Sequence, residues 1–282
     1  MKIWDAASGA CLLTLSGHEG RGFSCAWSPD GTWVVSGAED KTVKIWDAAS
    51  GACLLTLCGH EGSVSSCAWS PDGARVVSGS EDNFVKIWDA ACGACLRTLS
   101  GHESPVSCCA WSADGARVVS GSHDKSVRIW DAASGACLLT LSGHRSLVHS
   151  CAWSPDGTRV VSGSQDTSVK IWDATGGACL LTLSGHWGLV HSCAWSPDGE
   201  QVVSGSYDSS VKIWEAATGA CLTTLHGLPE LHWAAIRDGR AVAASPGAWR
   251  WVGWRWMDPV TGRLRILPLE HFGPVGEAPE RR

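Results

Sequence analysis

The sequence predicts an all-β protein, a propeller of four-stranded sheets stacked side by side around an axis, and three observations lead there. Near-copies of one unit recur every 42 residues, with Trp46, Trp88, Trp130, Trp172 and Trp214 at the same place in each. Self-similarity at that period belongs to units that cannot bury their own faces and must stack on neighbours. Within each copy, short runs rich in β-branched and aromatic residues alternate with Pro, Gly, Asp and Asn, which supply turn dihedrals. Apolar residues also fall on both faces of the inner strands, the pattern of a sheet covered on both sides.

The elements follow in order. Met1 occupies the place of Val43, Val85, Val127, Val169 and Val211, so residues 1–15 are expected to supply only the last two strands of a unit, a half blade. Residues 16–225 hold five complete units. In the copy running from Glu61 to His102, strand A is Ser-Val-Ser-Ser-Cys-Ala-Trp, followed by a Ser-Pro-Asp-Gly turn and strand B, Arg-Val-Val-Ser-Gly-Ser. A Glu-Asp-Asn turn leads into strand C, Phe-Val-Lys-Ile-Trp, and Asp-Ala-Ala-Cys-Gly into strand D, Ala-Cys-Leu-Arg-Thr-Leu. After Leu225 the pattern changes: His226-Gly227 reverses the usual Gly-His, and Glu215 replaces the aspartate that follows the tryptophan.

Four further strands are expected near 231–236, 240–245, 249–256 and 263–268, making residues 226–268 a divergent capping blade. The tail over 269–282, with Gly273, Pro274, Gly276 and Pro279, lacks periodicity and is expected to be loose. The expectation is therefore six complete blades and an N-terminal half blade, either a seven-bladed type with an incomplete closing blade or six blades with a redundant hairpin. Either the ring closes imperfectly or the chain is a piece of a longer protein.

A net charge of -6 and a pI near 6.0 give no electrostatic reason for nucleic acid or an anionic membrane as partner. No apolar run reaches membrane-spanning length and the N-terminus has no signal segment, so a cytoplasmic protein is expected. Of fourteen cysteines, Cys25, Cys67, Cys109, Cys151 and Cys193 each precede Ala-Trp, while Cys11, Cys53, Cys95, Cys137, Cys179 and Cys221 each follow Gly-Ala. That regularity is expected of small apolar packing residues. Cys92 and Cys95 alone have the spacing of a metal or redox pair, and no second such pair completes a four-ligand set.

Gly-His at 59–60, Ser-Pro-Asp-Gly at 70–73, Ser-Gly-Ser at 78–80 and Trp-Asp at 88–89 recur in register over residues 1 to about 226. On these motifs the chain resembles the WD-repeat β-propeller family. The resemblance implies a rigid platform for protein or peptide partners, most often seven-bladed, without catalysis, metal or cofactor of its own. The cluster Trp249, Trp251, Trp254 and Trp256 is similar to terminal caps in bacterial multidomain signalling proteins, which implies a sensor or scaffold within a larger chain.

Each unit also holds a serine, a histidine and an aspartate: Ser36, His18, Asp40; Ser78, His60, Asp82; Ser120, His102, Asp124; Ser162, His144, Asp166; Ser204, His186, Asp208. An enzyme needs one such triad in a cleft, not five. By resemblance, they join Trp46, Trp88, Trp130, Trp172 and Trp214 in a structural hydrogen-bond network, the aspartate fixing the imidazole tautomer. A competing reading, a hydrolase or lyase in the central channel, needs carboxylates or histidines on the innermost strand, where strand A offers Val, Ser, Cys and Ala.

The copies differ mainly at one end, in the loops from strand D to the next strand A and the turns from B to C. There Arg21, Phe23, Arg145, Leu147, His149, Trp187, Leu189 and His191 vary after Gly-His, and Glu39, Glu81, His123, Gln165 and Tyr207 vary before the network aspartate. This rim runs from acidic at Glu19, Glu61 and Glu103 to apolar, aromatic and imidazole-bearing, and is the expected partner-binding surface. Trp187, Leu147 and Leu189 are expected to form an apolar patch there. His149 and His191 hold equivalent places on adjacent units, which suits a metal or a pH-sensitive contact, although repeat geometry alone already accounts for the pairing.

Overall fold

The computed structural model describes residues 1–227 and four later strands, Trp233–Arg237, Arg240–Ala244, Gly253–Met257 and Leu264–Pro268. In blade two, strands Val64–Trp69 (A), Arg75–Ser80 (B), Val85–Asp89 (C) and Cys95–Leu99 (D) pair in chain order as an antiparallel meander. Blades one, three and four repeat it as four-stranded sheets opening on Gly22–Trp27, Val106–Trp111 and Val148–Trp153. Blade five opens on Val190–Trp195. Lys2–Trp4 and Cys11–Thr14 form a separate two-stranded sheet before blade one.

The core lies between sheets. Val35, Val43, Ile45 and Leu57 of blade one meet Val64, Cys67, Trp69, Val76 and Trp88 of blade two in one cluster, and the next three interfaces repeat it. Each interface has a knob and a hole. Val64, Val106, Val148 and Val190 are fully buried against Gly37, Gly79, Gly121 and Gly163 of the preceding blade. A Cβ on any of these glycines would lie only 2.5–2.7 Å from a valine methyl. Below the knob sits a clamp: Arg75, Arg117 and Arg159 stack at 4.5–4.6 Å over Trp111, Trp153 and Trp195. Their guanidinium groups donate to the carbonyls of Gly115, Gly157 and Gly199 at 2.8–3.0 Å. Cation–π contact and a charge-assisted hydrogen bond thus act on the same side chain.

Among the described residues, the two ends of the stack lack these contacts. Blade one carries Gly22 where the others carry the valine knob, and its Trp27 is 52% exposed against 7% for Trp69. Ile3 and Leu15 of the N-terminal segment pack with Val34 and Trp46, with Leu13 and Ala48 against them. At the other end Val203 and Val211 are 38% and 37% exposed, whereas Val77 and Val85 are fully buried. Among the described residues nothing lies within 4 Å of a Cβ built on Gly205.

Among the described residues, the four strands expected for a capping blade over 226–268 fall into two different sheets. The first two extend blade five outward, Trp233–Arg237 pairing with strand D (Cys221–Gly227), and Gly253–Met257 pairs only with Leu264–Pro268. The reason is local. In every crossing from D to the next A, a glycine at φ near +150° (Gly17, Gly59, Gly101, Gly143, Gly185) turns the chain inward and the next histidine anchors it. His226-Gly227 inverts that order, so strand D runs on and the chain folds back on its own edge. The tail over 269–282, Trp249 and Trp251 and the side chains of Trp254 and Trp256 lie outside the described residues.

The cysteines divide likewise. Cys67, Cys109, Cys151 and Cys193 are buried in the interfaces, and Cys25 is exposed at the open end. The six that follow Gly-Ala are exposed, which overturns a packing role for them, because strand D is the outer edge of each of the first four sheets and that side of it faces solvent.

Gly79→Ala is expected to lower unfolding free energy by about 1 to 3 kcal/mol through overpacking against Val106. The equivalent Gly205→Ala is expected to be neutral or to stabilise by about 0.5 kcal/mol. Urea denaturation of the two variants checks this, and equal losses would contradict the knob and hole.

Candidate functional site

The fivefold set of Ser, His, Asp and Trp meets in space in every blade. In blade three, His102 Nδ1 lies 2.7 Å from Asp124 Oδ2 and Nε2 lies 2.7 Å from Ser120 Oγ, while Trp130 Nε1 donates to that same Oγ at 2.8 Å. The other four blades keep these distances within 2.7–2.9 Å. Because the indole N–H fills one lone pair of the serine oxygen, the hydroxyl hydrogen is left to donate to Nε2, and Nδ1–H donates to the carboxylate. Burial pushes His60 and His186 below the ordinary histidine range even though Asp82 and Asp208 pull the other way.

Each aspartate joins two loops. Its Oδ2 accepts the histidine and the backbone N–H of the residue after it, as for Glu19, Glu61, Glu103, Arg145 and Trp187. Its Oδ1 accepts the N–H two residues on, and in four blades also the hydroxyl of Thr42, Ser126, Ser168 or Ser210. Burial would raise these carboxyls, but so many donors hold Asp82, Asp124, Asp166 and Asp208 below the usual range, and Asp40 at about 2. The residue after each aspartate is forced to positive φ (Lys41, Asn83, Lys125, Thr167, Ser209, 62–73°), a strained conformation for all but the asparagine. Those hydroxyls and that strain were not singled out from the sequence; recurrence of Ser or Thr at one place was the available signal.

The variable residues ride on this fixed backbone. The N–H groups of Glu39, Glu81, His123, Gln165 and Tyr207 donate to loop carbonyls of Arg21, Ser63, Pro105, Leu147 and Leu189 at 2.8–3.0 Å, so B-to-C turn and D-to-A loop form one edge. Across blades three to five their side chains line up. His123 meets His149 edge-on at 5.9 Å, His149 stacks on His191 at 6.0 Å with planes 6° apart, and His191 stacks on Tyr207 at 5.8 Å. Trp187 and Tyr207 stand 86% and 72% exposed beside this ladder. His149 is half-buried, its Nε2 is buried without a hydrogen-bond partner, and burial together with His123 and His191 lowers its pKa.

Other rim residues sit differently. Leu147 and Leu189 are half-buried and their carbonyls hold the B-to-C turns, so of the expected patch the exposed Trp187 carries most of the open apolar surface. Arg145, Gln165, Glu81 and Glu39 are exposed, and Gln165 accepts a bond from Ser146 at 3.1 Å. Arg21 and Phe23 belong to the open end of blade one, where Phe23 lines a cleft of about 480 Å³ with Met1, Leu15, His18, Gly22 and Cys25. That cleft leaves the His18 side chain 11% exposed against 1% in the other four sets, yet Ser36 stays buried with its oxygen taken by Trp46 and His18. Among the described residues no three His, Cys, Asp or Glu side chains group around a common point. In parallel rings such as His149 and His191, the in-plane nitrogen lone pairs do not converge.

The family model for the WD domain, G-beta repeat, matches five times, over residues 9–47, 51–89, 93–131, 135–173 and 177–215. The chain belongs to the WD40 family. No curated protein matches it. WD40 domains in general mediate protein–protein interactions and are typically non-enzymatic scaffolds. In this WD40 array the network supplies the rigidity such a platform needs, leaving the rim side chains free to vary.

His102→Ala is expected to lower stability by about 1 to 3 kcal/mol by leaving Ser120 and Asp124 unpaired, measured by chemical denaturation against wild type. The pH dependence has a definite sign. His60 and His186 titrate below 6.5 in the fold, so the unfolded chain binds protons first and stability falls as pH drops below about 6.5. The network aspartates titrate below 3.8, so a second loss follows as pH falls below about 4. A thermal midpoint that is flat between about pH 7 and 8 and declines in these two stages on acidification checks the assignment.

Proposed function

We propose that this WD40 array is a non-catalytic docking platform, the scaffold or sensor part of a cytoplasmic signalling assembly, whose rim over blades three to five receives a protein or peptide partner. The reading takes the stacked sheets as consecutive blades of a propeller. The observation that carries it is the His123, His149, His191, Tyr207 ladder, with Trp187 and Tyr207 exposed on backbone already fixed by hydrogen bonds. Exposed aromatic side chains that need no further ordering of the backbone bind at low entropic cost. Acidic Glu19, Glu61 and Glu103 on the earlier blades favour a partner with basic groups at that end.

Replacing Trp187, His191 and Tyr207 together by Ala is expected to abolish partner capture from extracts of the native cell. The same variant is expected to shift unfolding free energy by less than about 1 kcal/mol, since exposed side chains contribute little to folding. A partner that still co-purifies with the triple variant would refute the rim as its seat.

A further inference from the structure

Three of the four interfaces share one polar contact. Ser24, Ser66 and Ser150 on strand A accept, through Oγ, the backbone N–H of Cys67, Cys109 and Cys193 on the next blade at 3.0–3.1 Å, with those thiols 3.4–3.5 Å from the same oxygen. Blade three departs from this. Cys108 replaces the serine, and its Sγ lies 3.0 Å from Sγ of Cys151 on blade four. Both thiols are free and buried in one apolar cluster with Val119, Val148 and Val160. The exchange gives up the hydrogen bond that the other interfaces make, and puts two thiols in contact instead.

We propose that Cys108 and Cys151 form an oxidation site, an inter-blade dithiol that a peroxide converts to a disulfide joining blades three and four. In the first step one thiolate attacks the O–O bond, an S–O bond forms and hydroxide leaves. The second thiolate then attacks that sulfenic sulfur, the S–S bond forms and a second hydroxide leaves. The two thiol protons convert both hydroxides to water, so two thiols and one peroxide give one disulfide and two waters. Only a small movement is needed, since the sulfurs already touch. Burial and the neighbouring Cys108 push the Cys151 thiol well up, so the pair stays reduced under brief exposure and links faster as pH rises. The repeat itself supplies the control, because serine at position 108 restores the contact found at the other interfaces.

The test treats the intact chain with hydrogen peroxide, blocks remaining thiols and maps tryptic peptides. The expected product links residues 98–117 to residues 146–159. It raises the thermal midpoint by roughly 5 °C or more, reversed by dithiothreitol. Cys109 shares the first peptide, so two variants separate the sites. Cys108→Ser is expected to keep the reduced midpoint and lose both link and rise, whereas Cys109→Ser keeps both. The proposal is overturned if exposed cysteines oxidise while this link stays absent, if Cys108 pairs instead with Cys109, or if Cys108→Ser shows the same rise.

Discussion

Two oxygens of one aspartate hold each blade's upper edge together. Oδ2 takes the histidine and the loop N–H, and Oδ1 takes the turn, so a single carboxylate fixes the geometry of two connections that are far apart in sequence. Its charge stays where it is because many donors converge on it, and burial lowers the pKa of His60 and His186. The same arrangement explains why five Ser, His and Asp sets are structural. Each serine oxygen is already engaged by an indole and an imidazole, and each sits inside the fold.

Packing imposes a second constraint. A sheet apolar on both faces cannot be stable alone, and here each of the four interfaces is completed by a valine entering the space over a glycine, and three of them also by an arginine laid over a tryptophan. The terminal surfaces are built differently at those positions: Gly22 offers no knob, and Gln201 stands where the inner blades carry the clamp arginine.

A platform needs stiffness in one set of atoms and variety in another. The network and the backbone bonds between turn and loop provide the first, and the rim side chains provide the second. The ladder of imidazoles and tyrosine draws on three blades at once, so it exists only because the sheets are stacked at a fixed spacing. The same fixed spacing brings Cys108 to Cys151.

The sequence by itself determined the repeat, its four strands, the turns and the members of the network, because periods of two and of 42 residues and turn chemistry are local or repeated signals. It also pointed to the right edge for His123, His149, His191 and Tyr207. Tertiary structure alone decided that those four side chains line up, that Leu147 and Leu189 are half-buried, and that the cysteines after Gly-Ala face solvent. It also decided that Trp233–Arg237 pairs with strand D of blade five. Such outcomes depend on which surfaces meet across blades and on which sheet edge is left free, and neither is encoded within one repeat.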